Sequence, residues 1–297
     1  MSGKYLVSII ITTFRREREF REAVKSALRQ NYDNIEVIVV DDNADKIWND
    51  KVADIINEVC SNKIIYIKNI ANMGSAKSRN KGVNLAKGDY ITFLDDDDLY
   101  FEEKIKTQIE SMLLIDADYS ITDLYLYTEN NNLIEKRCRN YIKDYSTKML
   151  QRYHMMYHLT GTDTLMFKTD YIKKIGGFGN IDVGDEFYLM HNAIIAGGKF
   201  NYLPQCHVKA YVHTQNAGIS IGGSKIKGEK QLYEYKKKFF KEFDTKTIKH
   251  IKMRHHAVLA FAFIRKREYI RFIIEAFKSF ISAPLICIKF LAETILN

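Results

Sequence analysis

Four short runs of branched and aromatic apolar residues punctuate the first third of the chain, each followed by a stretch with helical spacing. Tyr5 to Thr12 (YLVSIIIT), Ile35 to Val40 (IEVIVV), Ile64 to Ile67 and Tyr90 to Leu94 (YITFL) predict buried strands. Glu17 to Gln30 predicts a helix, with Phe20, Val24, Ala27 and Leu28 on one face and acidic residues in its first turn. Trp48 to Cys60, Ser75 to Ala86 (closed by Gly88) and Glu102 to Leu114 predict three more. Such alternation folds into an α/β domain, a mostly parallel sheet with helices on both faces. Ligands of these sheets bind beyond the carboxyl ends of the strands. Three of those ends carry Thr12-Thr13-Phe14, Asp41-Asp42 and Asp95 to Asp98, so all three belong on one edge.

The rest of the chain is less regular. Strand-like pieces at Tyr119 to Thr122, Thr164 to Phe167 and Val208 to His213 mix with helix, and Gly176-Gly177-Phe178 signals a turn. From about Lys227 onward the sequence is helical and basic. The 297 residues suit one large domain with an appendage or two modest ones, and an apolar share of 46% allows a sizeable core. Cys60, Cys138, Cys206 and Cys287 lie far apart and form no C-x-x-C pair, which excludes a zinc ribbon and favours reduced, cytosolic thiols. No signal-peptide pattern follows Met1-Ser2-Gly3-Lys4. Lys and Arg exceed Asp and Glu by 45 to 37, and this net charge of +8 favours anionic partners: nucleotides, nucleic acid or anionic lipid. The basic excess sits late, in Lys236-Lys237-Lys238 and Arg265-Lys266-Arg267. Tyr269 to Leu296 is strongly apolar, yet Arg271, Lys278 and Lys289 interrupt it. That pattern suits amphipathic helices lying in a membrane interface rather than crossing it, or else a helical lid on the core.

Asp95-Asp96-Asp97-Asp98 is the strongest chemical signal. Two carboxylates about 4 Å apart at an effective dielectric near 20 repel by roughly 4 kcal/mol. A row of four at the end of a buried strand therefore calls for a cation, and hard divalent ions take oxygen ligands shared with phosphates. A solvated acidic loop opening the next helix is the plainer alternative, and the position on the same edge as Asp41-Asp42 weighs against it. Asp42 stands where it can accept hydrogen bonds from a base edge, and Phe14 where it can stack on that base. Turn chemistry and core packing are the competing roles. Asn72 to Gly82 is a glycine-containing loop opening a helix, in which Arg79 can reach phosphate or base, but it lacks the P-loop pattern.

Four motifs in order, VSIIITTFRR, VIVVDDN, NMGSAKSRNKG and KGDYITFLDDDDLY, resemble glycosyltransferase family 2 with the GT-A fold. The resemblance extends over roughly residues 5 to 215. Ile175-Gly176-Gly177-Phe178 followed by Gly184-Asp185-Glu186 is similar to the segment at the family's acidic catalytic motif, and Tyr211-Val212-His213 to its late histidine motif. Two departures stand out: Phe14-Arg15 where the family commonly has Tyr-Asn, and Asp-Glu where it often has Glu-Asp. The resemblance implies a GT-A domain over 1–225, with a nucleotide-binding half (1–115) and an acceptor-binding half (116–225), followed by a basic helical region over 226–297. It further implies that Thr12, Phe14, Asp42 and Arg79 hold the uracil of a UDP-sugar and Asp96 the ribose. Asp95, Asp97 and His213 would bind a Mn²⁺ or Mg²⁺ ion, and Asp185 or Glu186 would be the general base. The implied reaction is inverting transfer to a hydroxyl of a saccharide acceptor, lipid-linked, for surface polysaccharide, at the cytoplasmic face of the membrane and without nucleic acid. A sugar-phosphate nucleotidyltransferase is disfavoured because Thr12 to Arg16 contains no glycine. A non-catalytic nucleic-acid or lipid-binding module is disfavoured by the intact acidic set.

Overall fold

The computed structural model describes residues 3–179, 184–212 and 223–288. In chain order the elements are β1 (Val7–Thr13), α1 (Arg18–Leu28), β2 (Ile35–Asp41), α2 (Lys46–Val59), β3 (Ile64–Lys68), α3 (Ser75–Leu85), β4 (Tyr90–Asp95), β5 (Leu99–Tyr100) and α4 (Lys104–Ile115). There follow β6 (Tyr119–Thr128), β7 (Leu133–Arg137), α5 (Thr147–Tyr157), a 3-10 turn (Thr162–Thr164), β8 (Leu165–Lys168), α6 (Thr169–Lys174), α7 (Asp185–Ile195) and β9 (Phe200–Val212). The last helices are α8 (Gly223–Lys237), α9 (Thr245–Arg265) and α10 (Tyr269–Ser282).

One sheet runs β3-β2-β1-β4-β8-β6-β9-β5, with β7 paired to β6. It is parallel through β3-β2-β1-β4 and mixed beyond, because β8 runs antiparallel to both β4 and β6 while β6 and β9 are parallel. All seven residues of β2 are buried, as a strand covered on both faces requires. On α1, Phe20, Ala23, Val24 and Ala27 fall on one stripe and bury it completely against the sheet core. Gly88 turns the chain into β4 beside β1: a Cβ there would stand 2.7 Å from the Ser8 backbone nitrogen, and its own N–H donates to the Ser8 hydroxyl at 2.9 Å.

The chain divides into two compact units. Among the described residues, the first holds the sheet, with 3–147, 159–179 and 184–212; the second holds 148–158 and 223–288. In the second unit, α5 is tied by Gln151 to Glu242 (3.0 Å) and by Arg152 to Asp244 (3.1 Å). There α10 lies on α9, where the Ser279 hydroxyl donates to the Met253 carbonyl at 2.9 Å. Its other face leaves Ile270, Ile273, Phe277 and Ile281 more than half exposed. No described helix is long and apolar enough to cross a membrane.

The far half of the sheet contains an ion pair with little access to water. Arg139 and Asp123 have side chains 2% exposed and stand 3.7 Å apart. The guanidinium also donates to the carbonyls of Thr122 and Thr160, and the Tyr202 hydroxyl donates to the carboxylate at 2.9 Å. Removing one partner of a buried pair leaves the other charge uncompensated. Arg139→Met is expected to destabilise the sheet unit by about 3–5 kcal/mol in chemical denaturation; a loss under about 1 kcal/mol would mean that the pair is already solvated.

Candidate active site

Strand register brings three loops together. Thr12 lies opposite both Val40 and Asp95, and Thr13 lies opposite Asp41. The ends of β2, β1 and β4 therefore form one row, on the edge that the sequence points to. The loops that leave these strands hold one another: the Phe14 N–H donates to Asp96 (3.1 Å) and the Arg15 N–H to Asn43 (2.7 Å). Arg15 takes a left-handed φ of +52°; Phe14 is 42% exposed, with the Arg15 guanidinium 5.2 Å from its ring centre.

Asp41 and Asp42 differ in role. Asp41 is fully buried and accepts hydrogen bonds from Asn43 and the Tyr66 hydroxyl, so it shapes the turn. Asp42 reaches across to the loop before α3. Its Oδ1 accepts from Asn69 (2.8 Å) and the Met73 N–H (2.8 Å), and its Oδ2 from the Gly74 N–H (2.8 Å). The same carboxylate that would meet a base thus fixes the loop walling the site.

The acidic row is partly neutralised by two arginines. Arg16 pairs with Asp96 (3.1 Å) and Asp97 (2.8 Å). Arg79, buried, pairs with Asp95 (2.6 Å) and Asp185 (2.8 Å), and stands 5.3 Å from the Phe178 ring centre. Burial alone would lower the Arg79 pKa, yet the charges of Asp95 and Asp185 raise it, so it stays charged. Arg79 links the end of β4 to the start of α7. Asn80, next to it, clasps the turn before α7, donating to the Phe178 carbonyl (2.7 Å) and accepting from its N–H (2.8 Å). Gly176 and Gly177 in that turn have φ of +88° and +65°.

Asp185 and Glu186 open α7. Asp185 is buried and ion-paired. Burial, and then the charge of Asp185, push the Glu186 carboxyl up to about 8. The two neighbours thus part in character: Asp185 is held in an ion pair with Arg79, and Glu186 is a carboxyl raised to about 8.

Carboxylate oxygens of Asp95, Asp98 and Asp163 all lie within 4.8 Å of one another. Asp163, from the 3-10 turn before β8, accepts the Asp95 N–H at 2.6 Å, and Asp98 accepts the Tyr211 N–H at 2.8 Å. Burial, with repulsion from neighbouring aspartates, pushes Asp163 up to about 7 and Asp98 well above the carboxylate range. Burial and Asp97 push Asp96 up to about 7. Carboxylates gathered in this way suit a hard divalent ion, whose ligands are oxygens of this kind. The structure brings Asp95 into this cluster and places Asp97 beside it on Arg16; His213 lies outside the described residues. Sequence reasoning did not find Asp163 or Arg16. Nothing local marks Asp163, since an antiparallel strand far along the chain delivers it, whereas Arg16 carries a signal in its position two residues past Phe14.

Glycosyl transferase family 2 matches the chain over residues 8–174, more than half its length. The chain belongs to that family and is a glycosyltransferase. Over 236 residues it is 29% identical to an uncharacterised glycosyltransferase of Methanocaldococcus jannaschii, covering 78% of each chain. Over 122 residues it is 41% identical to the UDP-Glc:alpha-D-GlcNAc-diphosphoundecaprenol beta-1,3-glucosyltransferase WfaP of Escherichia coli, a match that spans about half the length of that relative (47%) and 41% of this chain. Among solved structures, S. aureus TarS 1-349 in complex with UDP-GlcNAc shares the fold, with a TM-score of 0.61 at 14% identity over 93% of this chain and 91% of that one.

Proposed function

We propose that this glycosyltransferase moves a sugar from a UDP-sugar to a hydroxyl of a lipid-linked saccharide, inverting the anomeric centre, in the assembly of a surface polysaccharide. One observation carries the reading: Arg79 ties Asp95, at the end of the strand that leads into the acidic row, to Asp185, beside the carboxyl of raised pKa. The groups needed for leaving-group departure and for nucleophile activation thereby meet at one strand edge. WfaP, by its name, uses UDP-Glc and a diphosphoundecaprenol-linked acceptor, and TarS was solved with UDP-GlcNAc; both support the donor class.

Phe14 stacks on the uracil and Asp42 accepts from its edge, with Thr12 at the floor. Asp96 meets the ribose. Asp95 and Asp97, with Asp98 and Asp163 clustered at Asp95 and His213 as a further ligand, are the residues that would hold Mn²⁺ or Mg²⁺. That ion would supply charge neutralisation on the departing diphosphate. Arg16 is the second cation at this edge, and an incoming diphosphate offers it phosphate oxygens in place of Asp96 and Asp97. Glu186 takes the proton from the acceptor hydroxyl, which attacks the anomeric carbon from the face opposite the diphosphate. Asp185 holds Arg79 and so orients the start of α7. Incubation with a panel of UDP-sugars, Mn²⁺ and a polyprenyl-diphosphate sugar tests this. Sugar transfer with release of UDP is expected; transfer from no UDP-sugar would overturn the donor assignment.

We assign the transfer to residues 1–225 and membrane contact to 226–297, at the inner face of the cell membrane. The exposed apolar face of α10 supports this, flanked by Arg271 (66% exposed) and Lys278 (50% exposed), charges that suit anionic head groups. Ile274→Glu with Phe277→Glu is expected to reduce recovery on anionic vesicles by about tenfold or more while leaving Tm unchanged, since both side chains are already exposed. Undiminished vesicle recovery would remove α10 from the contact.

A further inference from the structure

We propose that Asp123, Cys138 and Cys206 form a second metal site, independent of the acidic row, for a borderline-soft divalent ion such as Zn²⁺. A carboxylate oxygen of Asp123 and the Sγ atoms of both cysteines lie within 4.8 Å of one another. Strand register explains how residues so distant in sequence meet. Leu124 lies opposite Arg137 across β6 and β7, so Cys138, the next residue, comes opposite Asp123. On the other side of β6, Asp123 pairs with Cys206 of β9, at a shift in register. The three residues make a row across adjacent strands, with the carboxylate in the middle.

That row separates a metal site from a disulfide. Strands lie about 4.8 Å apart, so cysteines on either side of a central strand have Cα atoms roughly 9–10 Å apart. A disulfide needs Cα atoms within about 7 Å. An ion placed between the sulfurs asks for no backbone movement. Thiolate sulfur with one carboxylate oxygen is a donor set that suits zinc, with Cys138 and Cys206 half-exposed and a fourth position left to water. The carboxylate is already oriented: its Oδ1 accepts from the Arg139 N–H (3.0 Å) and the Tyr202 hydroxyl (2.9 Å), and its Oδ2 accepts from the same hydroxyl (3.0 Å). Such outer hydrogen bonds are what fix a ligand's direction. Charge balances too, because two thiolates and a carboxylate are matched by a divalent ion and the buried Arg139 guanidinium.

Binding forms two metal–sulfur bonds, and the protons carried by the two thiols leave to solvent. The bound ion ties β7 and β9 across β6.

Co²⁺ titration of the reduced, metal-stripped full chain tests the proposal. One equivalent is expected to develop thiolate-to-cobalt charge-transfer absorption that Zn²⁺ abolishes, and Zn²⁺ is expected to raise Tm reversibly with chelator. Asp97→Ala should keep the band, whereas Cys138→Ser and Cys206→Ser should each lose it. As a check that needs no variant, Zn²⁺ should protect Cys138 and Cys206 of the native protein from alkylation, as mapped by mass spectrometry. Absence of the band in the native protein, its persistence in the double serine variant, or alkylation of both cysteines unaffected by Zn²⁺ would each overturn the site.

Discussion

Glu186→Gln cuts sugar transfer by about 10²–10⁴-fold, the range that a positioned general base contributes, and leaves UDP binding in the presence of Mn²⁺ unchanged. Glutamine keeps the volume of the side chain but cannot accept a proton. Burial and the neighbouring Asp185 carboxylate push Glu186 up to about 8, against the smaller lowering by Arg79. A carboxyl raised in this way is protonated below that pH and becomes a base above it. Native kcat/KM for the acceptor therefore climbs with pH through about 8 and levels off beyond, while the residual rate of the variant lacks that limb. Asp185→Asn behaves differently. It strips one of two carboxylates from the buried Arg79, so the chain loses stability, and with the Asp185 charge gone the kcat/KM pH limb persists but moves to lower pH. If Asp185→Asn removes the limb and Glu186→Gln retains it, the base is Asp185.

Asp97→Ala lowers metal-stimulated turnover by about 10³-fold, the equivalent of the several kcal/mol that a bound cation supplies to a leaving group. The fold is expected to survive. Asp97 is 18% exposed and its partner Arg16 is 23% exposed, so the loss in stability is about 0–1 kcal/mol. Turnover that still responds to Mn²⁺ as in the native protein would take Asp97 out of the metal set. Asp163→Asn separates the two halves of the acidic cluster. It keeps an acceptor for the Asp95 N–H (2.6 Å) but removes a carboxylate charge, so it is expected to weaken Mn²⁺ stimulation less than Asp97→Ala does.

The parallel half of the sheet was legible because β1, β2 and β4 are largely buried strands with continuous apolar runs. Runs such as IEVIVV suit that setting, and β1 to β4 begin and end within two residues of where the runs do. The acidic row was legible from its position after YITFL, and the family resemblance pointed to Asp185-Glu186. The second half of the sheet was not legible to the same degree. β9 extends over Phe200–Val212 through Pro204, Gln205 and His207, without clean alternation, because register shifts against β6 break the period of two. β5 has two residues, and β7 (LIEKR) is mostly exposed, so neither carries an apolar signature. What depends on those strands was hidden with them: Asp163 in the acidic cluster, and Cys138 beside Cys206. Arg79 was visible as a functional arginine, but its clasp on Asp95 and Asp185 is a matter of packing that no spacing reveals.

Calorimetric titration of UDP into the native chain, with and without Mn²⁺, bears most directly on the claim that the end of β4 holds a divalent ion against a uridine diphosphate. Affinity is expected to tighten about tenfold or more when Mn²⁺ is present, about 1.4 kcal/mol of coupling. Equal affinities in the two titrations, or no UDP binding in either, would contradict it.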